Sequence, residues 1–286
     1  DRSHLSVVLD LSPAQWHLAA ADPSDPLTLA AFLSQLLAFL NAHIALKHEN
    51  DLAVFAALPG KSLLLYPDQD TPVILSDSNA YPPFQRLDSA VVSHIADEFD
   101  TDHPSDDPLA LVGALTKALC YINRISLGAS TAPDAQHGLT DPRILILSVS
   151  PDLSTSYIPI MNAIFSAQKL KVSIDACQIF GPDTVFLQQA AHLTGGSYLH
   201  LEHRDALLQY LIMSFLPPLA IRKVLAVPTQ DKIDFRAACF CHKNIVDIGF
   251  VCSVCLSIFC QPVPVCSTCR TKFPIKTLQR LNASRP

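Results

Sequence analysis

The chain has 286 residues, 49% of them apolar and only 16% charged, with 20 basic against 26 acidic side chains and a net charge of −6. That balance does not suggest a broad nucleic-acid-binding face, though it leaves room for a local basic patch, and the length implies a main domain of about 200 residues with a smaller one beside it. Charged residues usually make up roughly 25% of a soluble domain, so either the core is unusually large or partner proteins cover much of the surface; the second is the expectation here.

Residues 6–11, Ser-Val-Val-Leu-Asp-Leu, read as a buried strand, and residues 27–45 repeat apolar side chains at helical spacing. No stretch reaches the roughly 20 uninterrupted apolar residues of a bilayer span, because 27–44 is broken by Ser34, Gln35, Asn41 and His43. No membrane association is expected. The segment before Asp10 is too short and polar for a signal peptide, and the missing initiator methionine points to a natural N-terminus further upstream. Residues 62–66 and 143–149 are continuous apolar runs, as in strands covered on both faces. Val172, Ile174 and Ala176 alternate with polar neighbours in another strand.

Residues 109–125 and 158–168 have helical periodicity, and 183–193 begins with Asp183 as an N-cap and ends at Gly195-Gly196. Proline-rich, acidic stretches at 66–83 and 100–108 read as surface loops. The alternation predicts an α/β domain, a mainly parallel sheet with helices on both faces, over residues 1–216. Pro217 and Pro218 end a helix that starts near Arg204, so 217–235 is expected to be a linker, 236–274 a Cys-rich zinc-binding module and 275–286 a tail.

Asp10-Leu11-Ser12-Pro13-Ala14 follows the first strand where a von Willebrand A domain carries Asp-x-Ser-x-Ser, whose oxygens hold Mg²⁺ or a similar hard cation. Ala14 replaces the last hydroxyl. Ser105, Asp106 and Asp107 offer no threonine, and Asp152, the nearest acid after the fourth strand, is displaced by Pro151. Asp10 and Ser12 are therefore expected to satisfy backbone donors, with no Mg²⁺ bound. Gly-x-Gly-x-x-Gly, Walker and Gly-x-Ser-x-Gly motifs are missing, so neither a catalytic site nor a small-molecule substrate is expected. Ten scattered histidines lack paired metal spacing and read as surface or hydrogen-bonded residues. Cys120 and Cys177 read as small buried side chains. Trp16 fits either the core or a partner contact.

Seven of the nine cysteines fall between Cys239 and Cys269, in paired spacings typical of metal sites and a reducing compartment. Cys252-x2-Cys255 and Cys266-x2-Cys269 are separated by ten residues, a strong signal for one structural zinc whose four thiolates leave no open position. Cys239, Cys241, His242 and Cys260 could furnish a second site by interleaving with the first, or Cys260 could pack as a hydrophobe. Phe250, Val251, Val254, Leu256, Ile258 and Phe259 around these ligands could form either a small core or a docking surface.

The chain resembles the smaller von Willebrand A-domain subunit of the general transcription and DNA-repair factor TFIIH. The resemblance rests on Ala118-Leu-Cys-Tyr-Ile-Asn-Arg124, Thr194-Gly-Gly-Ser-Tyr198, Leu208-Gln-Tyr-Leu211 and, above all, Arg236-Ala-Ala-Cys-Phe-Cys-His242 through Cys269. It implies a six-stranded von Willebrand A fold, a nuclear location and a non-catalytic scaffold role in transcription initiation by RNA polymerase II and in nucleotide excision repair. The implied partners are the larger A-domain subunit and other core subunits, with any DNA contact undetermined. A RING-type ubiquitin ligase component, needing eight ligands in two interleaved sites, and a metal-dependent ligand-binding A domain are the alternatives.

Overall fold

Six strands form one sheet in the order β3-β2-β1-β4-β5-β6: β1 (Ser3–Asp10), β2 (Asp51–Leu58), β3 (Lys61–Tyr66), β4 (Thr140–Ser148), β5 (Ser173–Gln178) and β6 (Tyr198–His200). All pairings are parallel except that of β3 with β2. The helices are α1 (Pro13–Ala21), α2 (Leu29–Leu46), α3 (Pro82–Asp100), α4 (Leu111–Thr131), α5 (Tyr157–Leu170), α6 (Val185–Thr194), α7 (Leu207–Tyr210) and α8 (Leu219–Arg222). This computed structural model describes residues 3–67, 81–100, 107–131, 140–152, 157–222, 224–225, 233, 235–242 and 244–274.

The run in β4 is apolar and continuous because both faces of the sheet are covered there, whereas β3, at the sheet edge, is exposed or half-buried apart from Leu65, which corrects the expectation for 62–66. Leu5, Val7 and Leu9 of β1, with Leu145 and Leu147 of β4, pack against α1, α2, α3 and α7. Val8, Ile144 and Ile146 point the other way, onto α4, α5 and α6. The result is the von Willebrand A-like, mainly parallel architecture that the resemblance implies. Helix α2 is long and apolar enough to cross a membrane by length and composition alone. Here Phe32, Leu36, Phe39 and Leu40 are in the core, while its polar residues bond to neighbours: Gln35 Oε1 accepts from Leu208 N at 2.9 Å, and Asn41 Nδ2 donates to Asp88 at 3.0 Å. Trp16 belongs to the same core, stacked on Phe32 with its ring N–H donating to the Asp10 carbonyl at 2.8 Å.

Several expectations are corrected. Of the stretch read as a loop at 66–83, residues 68–80 lie outside the described set, but Pro82 and Pro83 open α3, where a missing N–H removes no helical bond. Residues 101–106 of the second loop also lie outside it. Strands β2 and β6 and helices α1 and α3 were not anticipated, β2 because a short, Ala-rich apolar run has no decisive period. The polar neighbours in β5 are buried, not exposed: Asp175 has no accessible surface and pairs with Arg222 at 2.7 Å. Cys177 is buried, but Cys120 is exposed on α4. Asp183 does not cap α6. Its carboxylate accepts the Tyr198 hydroxyl at 3.0 Å, and Asp152, from the end of β4, accepts Phe186 N at 3.1 Å.

The Thr194-Gly-Gly-Ser-Tyr198 motif has a steric explanation. Gly195 ends α6 in the left-handed region at φ 73°, and a Cβ on Gly196 would lie 2.0 Å from the Ile174 carbonyl oxygen.

Candidate metal centre

At the carboxyl end of the sheet, Asp10 is enclosed by donors. Oδ1 accepts from Ser12 N at 3.1 Å, and Oδ2 accepts from Val149 N, Ser150 N and the Ser148 hydroxyl at 3.0, 2.8 and 3.3 Å. Burial raises its pKa despite these bonds. Burial likewise lifts Asp152 to about 6, and its carboxylate faces the α6 N-terminus. Ser105 and Asp106 lie outside the described residues. The aspartate that opens the von Willebrand A motif is thus committed to holding the β1 and β4 loops together.

Metal-ligand geometry is found in the Cys-rich module. Among the described residues two clusters bring four ligand atoms within 4.8 Å of one another: Cys252, Cys255, Cys266 and Cys269, and Cys239, Cys241, His242 and Cys260. The two sets interleave along the chain, which ties the module into one unit although its strands, β7 (Phe250–Val251) and β8 (Ile258–Phe259), have two residues each.

One local design is used three times. Cys252 N donates to Ser257 O, Cys266 N to Thr271 O, and Cys239 N to Asn244 O, all at 2.8 to 2.9 Å. The residue before each cysteine bridges the residue six positions after it: Val251 with Ile258, Val265 with Lys272, and Ala238 with Ile245. In the first two turns Leu256 N and Arg270 N donate back to the Cys252 and Cys266 carbonyls, and Leu256 and Arg270 sit in the left-handed region at φ 61° and 60°. Ser257 and Thr271 each place a hydroxyl 3.1 Å from the second sulfur of the pair. The sequence shows this once the geometry is known: Cys-Ser-Val-Cys-Leu-Ser-Ile-Phe259 and Cys-Ser-Thr-Cys-Arg-Thr-Lys-Phe273 are a repeat that sequence reading alone missed.

The distances fit a tetrahedral ion. Cys252 and Cys269 Sγ are 3.7 Å apart, and Cys255 and Cys266 Sγ 3.5 Å. A tetrahedron with metal–sulfur bonds of about 2.3 Å has edges of about 3.8 Å, whereas a disulfide would need about 2 Å. Hydrogen bonds from Ser257 lower the Cys255 thiol to about 6, favouring the thiolate that ligation requires. In the second cluster Cys241 and Cys260 Sγ are 3.5 Å apart, and His242 Nδ1 is 3.2 Å from Cys260 Sγ. Cys260 is raised to about 11, chiefly by its hydrogen bond with Cys241 beside it. Both clusters could therefore hold a soft cation with a closed shell.

The module has almost no core of its own: Cys252, Phe259 and Cys266 form its small buried cluster, flanked by Phe240 and Phe273. Phe240 also packs into the larger domain, edge-on to Tyr157 at 6.4 Å, and Ala238 is wholly buried there. Phe259 is core, as are the ligands Cys239, Cys252 and Cys266, while Val251, Val254 and Leu256 stay exposed, so the apolar residues divide between the two roles left open by the sequence.

A family model described as transcription factor Tfb4 matches residues 2–270, spanning both the sheet and the two clusters. The chain belongs to the Tfb4 family. It is similar to the Schizosaccharomyces pombe protein named general transcription and DNA repair factor IIH subunit tfb4, 40% identical over 284 residues covering 97% of this chain and 91% of that protein. The Arabidopsis thaliana protein of the corresponding name is 37% identical, covering 96% and 89%. A crystal structure described as the TFIIH p34 N-terminal domain superposes with a TM-score of 0.65 at 32% identity, covering 74% of this chain and 97% of that one. Membership makes the chain a transcription-factor subunit.

Proposed function

We propose that the chain is a non-catalytic scaffold of the TFIIH core, acting in the nucleus in transcription initiation by RNA polymerase II and in nucleotide excision repair. The observation that carries this reading is a family match running unbroken from β1 through the metal clusters. Residues 1–216 are the A-like docking domain, 217–235 the join, 236–274 the zinc module and 275–286 a tail. Cys252, Cys255, Cys266 and Cys269 hold one structural Zn²⁺; Cys239, Cys241, His242 and Cys260 hold a second. Four protein ligands per ion leave no position for an activated water. Asp10 takes no part in cation binding, because its oxygens serve the β1 and β4 loops.

The partner is the larger A-domain subunit, and the low charged fraction of 16% supports extensive coverage by protein. Co-expression with that subunit should raise solubility and give a complex that survives size-exclusion chromatography and Mg²⁺ chelation. A well-behaved monomer that ignores the subunit would overturn the reading. Interleaved eight-ligand geometry also favours a second reading, a RING-type ligase component. A ubiquitin-discharge assay separates the two: the scaffold reading requires no discharge.

A further inference from the structure

At the opposite end of the sheet from Asp10, an open cavity of about 330 Å³ lies between the end of α2, the starts of β1 and β4, and α8. Its wall contains a buried cation. Arg143 is 1% exposed, its Nη1 donates to the Phe215 and Pro217 carbonyls at 3.0 Å each, and its Nε is buried with no hydrogen-bond partner among the described residues. Asp175 and Asp141 are the carboxylates that act on it, but both Asp175 oxygens are hydrogen-bonded to Arg222, at 2.7 and 2.9 Å, and Asp141 is exposed. Among the described residues, two buried guanidinium groups share one buried carboxylate, which leaves the buried charge positive. Such a charge is costly unless something pairs with it.

Two further polar atoms in the same wall are unpartnered among the described residues. His43, also 1% exposed, directs Nε2 to the Asp51 carbonyl at 3.4 Å and leaves Nδ1 without a partner. Burial first, then Arg143 beside it, lowers this imidazole to about 4, so the ring is neutral and Nδ1 is an acceptor. Asn50 donates through Nδ2 to the His43 carbonyl at 2.9 Å, and its Oδ1 is likewise unpartnered. The wall thus holds one cationic donor, with two neutral acceptors buried behind it. Lys47 and Asp141, one of each sign, are exposed at the rim, so the interior guanidinium decides the preference. Leu46, Leu216 and Ile221 give the mouth an apolar border, with Leu46 54% and Ile221 50% exposed.

We infer that this cavity is a receptor site for an acidic residue in an apolar peptide segment of another polypeptide. The carboxylate meets Arg143, and flanking apolar side chains cover Leu46 and Ile221. The site lies on the α2 and α7 face of the sheet, whereas the Cys-rich module packs on the α4 to α6 face. It therefore goes beyond the scaffold reading, and its failure would leave that reading standing.

Titration of the full, metal-loaded chain with N-acetyl-Leu-Glu-Leu-amide and with the Gln peptide, followed by calorimetry or amide chemical shifts, tests it. The Glu peptide should bind about tenfold more tightly or better, as a charge-assisted bond to a desolvated guanidinium requires. Arg143→Leu should abolish the difference, but this residue is in the core, so Leu46→Glu at the mouth is the second variant. It should repel the acidic peptide while leaving circular dichroism and metal content unchanged. Equal binding of the two peptides, no binding of either, or full binding by Leu46→Glu would each overturn the proposal and leave a water-filled cavity.

Discussion

The two β-structures of this chain are stabilised by different physics. In the large sheet, β1, β2, β4 and β5 are buried along almost their whole length between two helical layers, and the apolar side chains themselves exclude water. In the Cys-rich module, β7 and β8 share four residues, and two of the three buried core side chains are cysteines of the four-thiolate cluster. Burial alone cannot hold so short a hairpin. The domain can lose a ligand atom without consequence for its core, whereas the module's fold and its ligand geometry are the same thing.

Chelation should expose this contrast most strongly. Removing metal, or replacing Cys252 by Ser, should unfold residues 236–274, a loss on the order of 10 kcal/mol of metal-linked folding energy. Trp16, the lone tryptophan, is buried against Phe32 on the far face and should keep its fluorescence maximum, while limited proteolysis reports the opened module. Loss of the Trp16 signal together with metal would show that the two regions fold as one.

The next largest effect belongs to the sheet. Arg222→Leu leaves Asp175 buried and unpaired, and should cost about 3–5 kcal/mol in chemical denaturation with metal content unchanged. Smaller, and dependent on pH, is Asp152. Its folded pKa of about 6 lies above its ordinary value of 3.8, so the stability it contributes is present below pH 4 and declines as pH rises through 6. Asp152→Asn keeps an acceptor for Phe186 N, so it should flatten that slope and gain about 1–2 kcal/mol at pH 7, after allowance for solvent screening. Thermal melts between pH 4 and 7 decide it. The smallest expected change is at Leu256, 70% exposed at φ 61°. Leu256→Gly should be neutral or gain about 0.5 kcal/mol, while Leu256→Val should cost about 1 kcal/mol or more, both read as zinc retention against a competing chelator.

Strand cores at 6–11, 62–66 and 143–149, the helices over 109–125 and 158–168, and the grouping of all eight candidate ligands were legible in the sequence, because each rests on local period or spacing. Ala14 in place of a hydroxyl already argued against a cation at Asp10. Other features depended on residues far apart in the chain. Asp152 reaches across 34 positions to cap α6, and Asp175 meets Arg222 across 47, so neither the failure of Asp183 as a cap nor the burial of polar residues in β5 could be read locally. The repeated turn around Leu256 and Arg270 became visible only through backbone geometry, since Leu and Arg are not the residues that announce a left-handed conformation. The sequence by itself determined the most strongly patterned elements and which thiols could share an ion, because those follow from spacing along one segment. Only the tertiary structure decided which charges are paired, and set Arg143 beside an open cavity with Asp175 hydrogen-bonded to Arg222, because pairing is settled by what the fold brings together in space.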